Sequence, residues 1–304
     1  MAFFGTPQFA VPTLRALVDG PDEVVAVVTQ PDRRVGRGRK RAQPPPVKEV
    51  ALEAGLSVHQ PNRLKDLRSE LEALVLDVAV VVAYGKIFRR WLLELPTHGC
   101  INVHASVLPA LRGPAPIRWA VIRGLRETGV SIMRLDRGVD TGPVERVVTS
   151  AIGPRDTAAQ VTDRLSDLGA SALAATMDAL RTGQAQFHEQ DHTRATHAPM
   201  LDKDHGRIDW ESDAISIDRL VRGAVPWPLA WTPQADGPLK VLEAQPVQGP
   251  AGQPGWVVAL DAGDPVVACG QGWLALRRVQ CPGRKAMSGR EAVNGRQIQT
   301  GSAL

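Results

Sequence analysis

Asn102 and His104 stand two positions apart in an otherwise apolar run, Ile101-Asn102-Val103-His104. In an extended strand, side chains at that spacing share a face, so the two project together. An amide and an imidazole on one face can donate to a developing negative charge and hand over a proton. Burying such a pair idle costs free energy unless both groups are bonded. The chain then leaves the strand through Ala105-Ser106 and turns at Pro109 and Gly113. A polar pair at the carboxyl end of a strand, followed by a loop, is where open α/β sheets carry their active sites. A strand end bonded to a neighbouring loop is the plainer alternative. Asp140 follows the next strand, in Gly138-Val139-Asp140-Thr141-Gly142. Alone it reads as a turn or capping aspartate. Beside His104 it would hold the imidazole protonated or relay a proton through water.

These three residues need a sheet to hold them. Residues 24–28 and 78–83 are β-branched runs that read as strands buried on both faces, and 130–135 and 144–152 read as further strands. Helices are expected over 47–54, 67–75, 116–123 and 158–180. The last carries Val161, Leu165, Leu168, Leu173 and Met177 at helical spacing. Strands alternating with helices predict an α/β, Rossmann-like, mostly parallel sheet. Residues 29–46 read as a long loop. Its Gly36-Arg37-Gly38 lacks the third glycine and following helix of a dinucleotide fingerprint, which discounts a nicotinamide dehydrogenase. Residues 188–206 are polar, and their histidines have spacings that fit no zinc site, so they read as a linker. Beyond them come five short strands split by Gly and Pro, the pattern of a small OB-like β-barrel. The expected organisation is a catalytic domain over 1–187, a linker over 188–206 and a β domain over 207–304.

Composition narrows the class. The chain has 304 residues, is 43% hydrophobic and 22% charged, and carries a net charge of +4, an ordinary balance for a globular protein. No apolar run is long enough to span a membrane, and no secretory leader is visible at the N-terminus. Three scattered cysteines make neither a disulfide framework nor a metal cluster, so no metal and a cytosolic setting are expected. The charge is unevenly spread. Arg33, Arg34, Arg37, Arg39, Lys40 and Arg41 supply six of nine consecutive residues, with no acidic one among them. From Arg277 onward, Arg277, Arg278, Arg284, Lys285, Arg290 and Arg296 face only Glu291. Two basic patches on a modest net charge have the look of a footprint for a polyanion.

The residues also carry a family likeness along nearly the whole chain. Phe4-Gly5-Thr6-Pro7, Thr29-Gln30-Pro31-Asp32-Arg33, Val81-Val82-Ala83-Tyr84-Gly85 and Ile101 to Ser106 are part of it. Gly113 to Ile117, Gly138 to Gly142, Gly206 to Trp210, Pro226-Trp227-Pro228 and Lys285 to Ser288 complete it. In these stretches the chain resembles the methionyl-tRNA formyltransferases, a branch of the folate-dependent formyltransferases. The resemblance implies a formyltransferase domain followed by an OB-like domain. It implies formyl transfer from 10-formyltetrahydrofolate, as co-substrate, to the methionine α-amino group of initiator methionyl-tRNA. Family roles fall on Asn102, His104 and Asp140 as catalytic residues. They fall on Ser106, Val107, Leu108 and Pro109 as the loop that holds folate. The basic stretch from Arg33 to Arg41, with Arg284 and Lys285, is expected to meet tRNA. Two departures stand out: Val107 replaces the usual Leu, and Ala110-Leu111 replace a basic residue followed by an aromatic one.

In that chemistry an amine attacks a formyl carbon and negative charge gathers on the formyl oxygen. The Asn102 amide and the His104 imidazole are the donors expected there. Rival readings keep the chemistry and change the acceptor to glycinamide ribonucleotide, an amino sugar nucleotide or water. Another rival is a tRNA-binding protein without catalysis. The basic run and the C-terminal barrel argue against glycinamide ribonucleotide and the amino sugar nucleotide, and the intact Asn102, His104 and Asp140 against the protein without catalysis. A monomer acting in the cytoplasm is expected.

Overall fold

A computed structural model describes residues 1–35 and 41–304. The chain divides into two compact units. One comprises Met1–Pro116, Glu127–Ala151 and Thr162–Pro199, and the other Ile117–Arg126, Ile152–Val161 and Met200–Leu304.

Strands of the first unit are β1 (Ala2–Gly5), β2 (Ala26–Val28), β3 (Arg33–Val35), β4 (Arg41–Gln43), β5 (Val58–His59), β6 (Ala79–Val82), β7 (Cys100–His104), β8 (Glu127–Arg134) and β9 (Val144–Ala151). Between them run α1 (Val11–Val18), α2 (Pro46–Glu53), α3 (Arg68–Ala73) and α4 (Arg90–Leu93); α5 (Pro116–Ile122) follows β7 in sequence but belongs, from Ile117 on, to the second unit, and α6 (Ala158–Arg181) follows β9. Seven strands form one sheet in the order β5-β2-β1-β6-β7-β8-β9. β5 to β7 are parallel, while β8 and β9 run antiparallel. The expected mostly parallel sheet is present, with one strand (β5) that two residues of sequence did not announce. The chain winds out from β1 to β2 and β5, then returns to the other side of β1 as β6. Such a reversal opens a crevice at the carboxyl ends of the central strands, and β7 ends beside it.

Burial explains the strand sequences. β1, β2, β6 and β7 are buried at every position, which is why they read as continuous apolar runs. β9 alternates in exposure, as an edge strand should. Phe4, Tyr84 and Phe88 meet edge to face, with Phe4 5.6 Å from Tyr84 and 5.0 Å from Phe88. In α6, Leu165, Leu173 and Met177 are buried, and Gly169 lets the helix approach β7: a Cβ there would lie 2.8 Å from Val103 Cγ1. The stretch 29–46, expected as a loop, contains a short antiparallel hairpin arm. β3 pairs with β4 in the register Arg33↔Gln43, Arg34↔Ala42 and Val35↔Arg41. Arg and Val accept extended backbone readily, but the Gly and Pro around them hid the strands from a composition reading.

The second unit contains α7 (Ala214–Ala224), β10 (Ala230–Thr232), β11 (Leu239–Val247), β12 (Val257–Asp261), β13 (Asp264–Ala268), β14 (Trp273–Gln280), β15 (Met287–Ser288) and α8 (Gly289–Asn294). Its sheet is antiparallel, in the order β10-β11-β14-β13-β12, with β15 added on β14. Trp210, Ile217, Val221, Leu239, Val241, Leu274 and Leu276 form its core. Both helices start on side-chain caps. Asp213 accepts the Ser216 N–H at 2.9 Å, and Ser288 with Glu291 makes a reciprocal capping box. Each cap stabilises its helix by about 1 kcal/mol.

Candidate active site

β7 is paired with β6 through Val81↔Asn102 and with β8 through Asn102↔Met133 and His104↔Ser131. That double pairing fixes both side chains on one face at the strand's end. Asn102 is 9% exposed and His104 6%. The Asn102 amide has no hydrogen-bond partner among the described residues, and its atoms are not sealed from solvent. His104 is committed on both sides. Nε2 lies 3.1 Å from the Leu111 carbonyl oxygen, and because a carbonyl only accepts, Nε2 carries hydrogen. Nδ1 lies 3.6 Å from Asp140 Oδ2, within ion-pair reach but beyond a direct hydrogen bond. The same carboxylate oxygen accepts the Gly113 N–H at 2.8 Å. Segment 111–113 thus touches His104 through a carbonyl and Asp140 through an amide. It does so in unusual backbone: φ is +59° at Leu111, +114° at Gly113 and +52° at Asp140. A Cβ on Gly113 would lie 2.8 Å from the Ala198 carbonyl oxygen, so only glycine fits there.

The loop after β7 is tied down at both ends. Ser131 Oγ donates to the Ser106 carbonyl at 2.7 Å and accepts the Leu108 N–H at 3.0 Å. Ser106 Oγ donates to the Ala110 carbonyl at 2.6 Å. Ser106 and Leu108 are buried, Val107 and Pro109 half-buried, and the Leu108–Pro109 peptide is cis. The loop of Asp140 is held from below, where the Asp136 carboxylate accepts the Gly138 N–H and the Thr141 hydroxyl.

The basic residues divide by their partners. Arg33 is exposed at the start of β3, and Arg34 and Arg41 occupy the hairpin register given above. Arg37, Arg39 and Lys40 lie outside the described residues. Arg284 and Lys285 sit exposed between β14 and β15, with no ion pair among the described residues. Arg277 is different: it bonds Asp261, Asp264 and Gln245. Arg290 is spent on the Ala262 carbonyl. The C-terminal patch is therefore smaller than a count of its charges suggests. No group of His, Cys, Asp and Glu able to hold a metal occurs among the described residues.

Residues 1–177 match the family model described as formyl transferase, and residues 200–297 the one described as formyl transferase, C-terminal domain. The methionyl-tRNA formyltransferase of Trichlorobacter lovleyi is 45% identical over 94% of this chain and 90% of its own length. That of Geobacter metallireducens is 43% identical over 99% of this chain and 97% of its own. The chain belongs to the formyl transferase family. Solved structures share the fold. The N-formyltransferase of Helicobacter canadensis, solved with folinic acid and dTDP-3-aminofucose, has a TM-score of 0.69 at 15% identity, over 90% of this chain and 97% of that one. HypX of Aquifex aeolicus, solved with tetrahydrofolic acid, has a TM-score of 0.65 at 15% identity. It covers all of this chain, which spans 48% of HypX.

In this formyltransferase the polar pair of β7, Asp140 and the 106–109 loop are gathered at one end of the sheet of the first unit. A reading of side chains passed over Ser131, the Leu111 carbonyl, the Gly113 N–H and Gln190. Ser131 had a signal, a lone hydroxyl in the apolar run 130–135. Gln190 had none, lying in a stretch that is polar throughout.

Proposed function

We propose that this formyltransferase moves the formyl group of 10-formyltetrahydrofolate to the α-amino group of methionine on initiator methionyl-tRNA, for translation initiation. One observation carries the choice of acceptor: relatives named methionyl-tRNA formyltransferase run alongside both halves of the chain at 43–46% identity. The C-terminal half includes an exposed Arg284-Lys285 turn, without an ion pair among the described residues, that is suited to phosphate.

In this reading the Asn102 amide donates to the formyl oxygen as it gains negative charge. Its lack of a partner among the described residues supports that role, because a preorganised donor is of use only if it is free. His104 and Asp140 handle the proton that the amine loses and the folate nitrogen gains. An α-amino group titrates at roughly 7.7–8.0, so little work is needed to free its lone pair. Ser106, Val107, Leu108 and Pro109 form a wall against the folate; the two ties to Ser131 support this by making the wall rigid. Arg33, Arg34, Arg37, Arg39, Lys40, Arg41, Arg284 and Lys285 take tRNA phosphates. Residues 1–187 carry the chemistry, 188–206 connect, and 207–304 form an OB-like tRNA-binding domain. The enzyme works as a monomer in the cytoplasm. Its three buried free cysteines suit a reducing compartment, and among the described residues no helix is long and apolar enough to cross a membrane.

The test is formyl transfer from 10-formyltetrahydrofolate, with methionyl initiator tRNA, glycinamide ribonucleotide and an amino sugar nucleotide as parallel acceptors. Turnover with the tRNA alone, lost in His104→Ala, is the expected result. Turnover with one of the other acceptors in its place would overturn the assignment.

A further inference from the structure

Arg112 is 4% exposed and Gln190 8%. A buried guanidinium is costly unless its donors are met, and among the described residues no carboxylate pairs with this one. Its main partner is neutral. Nε and Nη2 both donate to Gln190 Oε1, at 3.1 and 2.7 Å, and Nη2 lies 3.0 Å from His192 Nδ1. Because Oε1 is taken by the guanidinium, the Gln190 amide nitrogen must face the other way. It donates to the carbonyl oxygens of Asp140 and Gly142, at 3.0 and 2.7 Å. Every hydrogen-bonding site of the Gln190 amide is thereby used.

The two carbonyls so gripped flank Thr141 and include that of Asp140, whose φ of +52° is uncommon for a residue with a side chain. Arg112 itself lies between the two backbone groups that touch the catalytic pair: Leu111, whose carbonyl accepts from His104, and Gly113, whose N–H donates to Asp140. The segment carrying Gln190 also grips this stretch directly. Thr196 Oγ1 accepts the Leu111 N–H at 2.9 Å. The Thr196 carbonyl accepts the Arg112 N–H at 2.8 Å, and the Arg112 carbonyl accepts the Ala198 N–H at 2.7 Å.

We infer that Gln190 and Arg112 are positioning residues for formyl transfer: Arg112 orients the Gln190 amide, and that amide fixes the backbone of Asp140 so that its carboxylate meets His104. The inference rests on the formyl-transfer reading for its chemistry and on the hydrogen-bond network for its geometry. A buried pair kept only for stability would be served as well by apolar residues of similar volume. A pair that grips one strained catalytic loop and the loop opposite it has a further use.

The discriminating variant is Gln190→Glu. It keeps the acceptor for Arg112 and converts the contact to an ion pair, but removes both donors to the Asp140 and Gly142 carbonyls. Gln190→Met removes donors and acceptor together at similar volume. For the wild type and both variants, kcat and KM, the pH–rate profile and the thermal midpoint would be measured, and the crystal structure of each solved. The expected result is a fall in kcat of about 10–100-fold, the range for displacing a catalytic group by around an ångström. KM for tRNA should hold, the pH–rate profile should change shape, and the Asp140 carboxylate should move away from His104. Gln190→Glu should still fold cooperatively, with a midpoint lowered by the loss of donors to the two carbonyls. Wild-type kcat and pH profile in folded Gln190→Glu would overturn the inference while leaving the reaction intact. Absence of turnover in the wild type would instead overturn the reaction reading. The crystal structures would then decide the network alone, and an unmoved Asp140 in both variants would overturn it.

Discussion

Asn102→Leu separates catalysis from folding at a single side chain. Leucine matches asparagine in branching and number of heavy atoms and keeps the strand paired on both sides, but it removes the one amide on this face that has no partner among the described residues. Loss of one preorganised oxyanion donor costs about 2.7–4 kcal/mol, or ~10²–10³ in kcat. If the donor acts mainly as charge develops, KM for the folate should change little. Stability should move the other way. A buried polar group left without a partner costs about 1–3 kcal/mol, and Asn102 is 9% exposed, so some of that penalty is relieved by residual solvent. A gain of about 1 kcal/mol is expected, worth roughly 2–4 °C for a domain of 150–250 residues. Asn102→Asp, which substitutes an acceptor-only carboxylate for the donor, should lower kcat further. The assays are single-turnover formylation of methionyl initiator tRNA and thermal denaturation of the same samples. A Leu variant that keeps kcat would refute the donor role. One that loses several degrees of midpoint would show that the amide is bonded within the fold and that the free-donor argument is wrong.

Arg284→Ala with Lys285→Ala should weaken tRNA binding uniformly and flatten its log–log salt dependence by about 1.4–1.8 for the two charges lost, read from binding titrations across salt concentrations. Arg277→Ala, which strips partners from Asp261, Asp264 and Gln245, should instead lower the thermal midpoint and leave that salt slope as it was. Gly142→Ala should fold poorly or not at all, because its Cβ would collide with the Arg134 carbonyl oxygen; expression and circular dichroism would check this. Stability should also fall on the alkaline side. Burial pushes the Cys100 thiol from 9.0 up to about 12 and the Tyr84 phenol from 10.0 up to about 12. Between those values the folded chain holds protons that the unfolded chain has released, so rising pH favours unfolding. Tyr84→Phe should remove the phenol's share of that loss above about pH 10. It should also raise the midpoint at neutral pH, since Tyr84 Oη is buried without a hydrogen-bond partner among the described residues.

How much of this was legible depended on whether the signal was periodic. Asn102 and His104 stood out because a period of two in an apolar run makes a shared polar face visible. The α6 stripe of Leu165, Leu173 and Met177 stood out because 3.6-residue spacing repeats. The strands of the second unit were legible as short apolar runs between Gly and Pro. The β3–β4 pairing was not, because half of its residues are basic and the residues around them are rich in Gly and Pro. The charge count near the C-terminus misled for a related reason. Composition records that Arg277 is a cation, but not that Asp261 and Asp264, carried on neighbouring strands, neutralise it.

The least legible part of the site is the part that aims it. His104 takes its orientation from the carbonyl of Leu111, and Asp140 takes a bond from the amide of Gly113. Every residue other than proline has both groups, so no choice of side chain at position 111 announces the contact. Gln190 reaches Asp140 across 50 positions of sequence, from a stretch where one more polar residue changes no pattern. What marks it is a mismatch visible only once the chain has closed. A neutral amide is buried against a guanidinium where an ion pair would be the ordinary partner, and the amide's other end is bound to Asp140, whose backbone sits at positive φ. A carboxylate at position 190 would satisfy Arg112 better and release Asp140. The neutral side chain is the one that serves both neighbours.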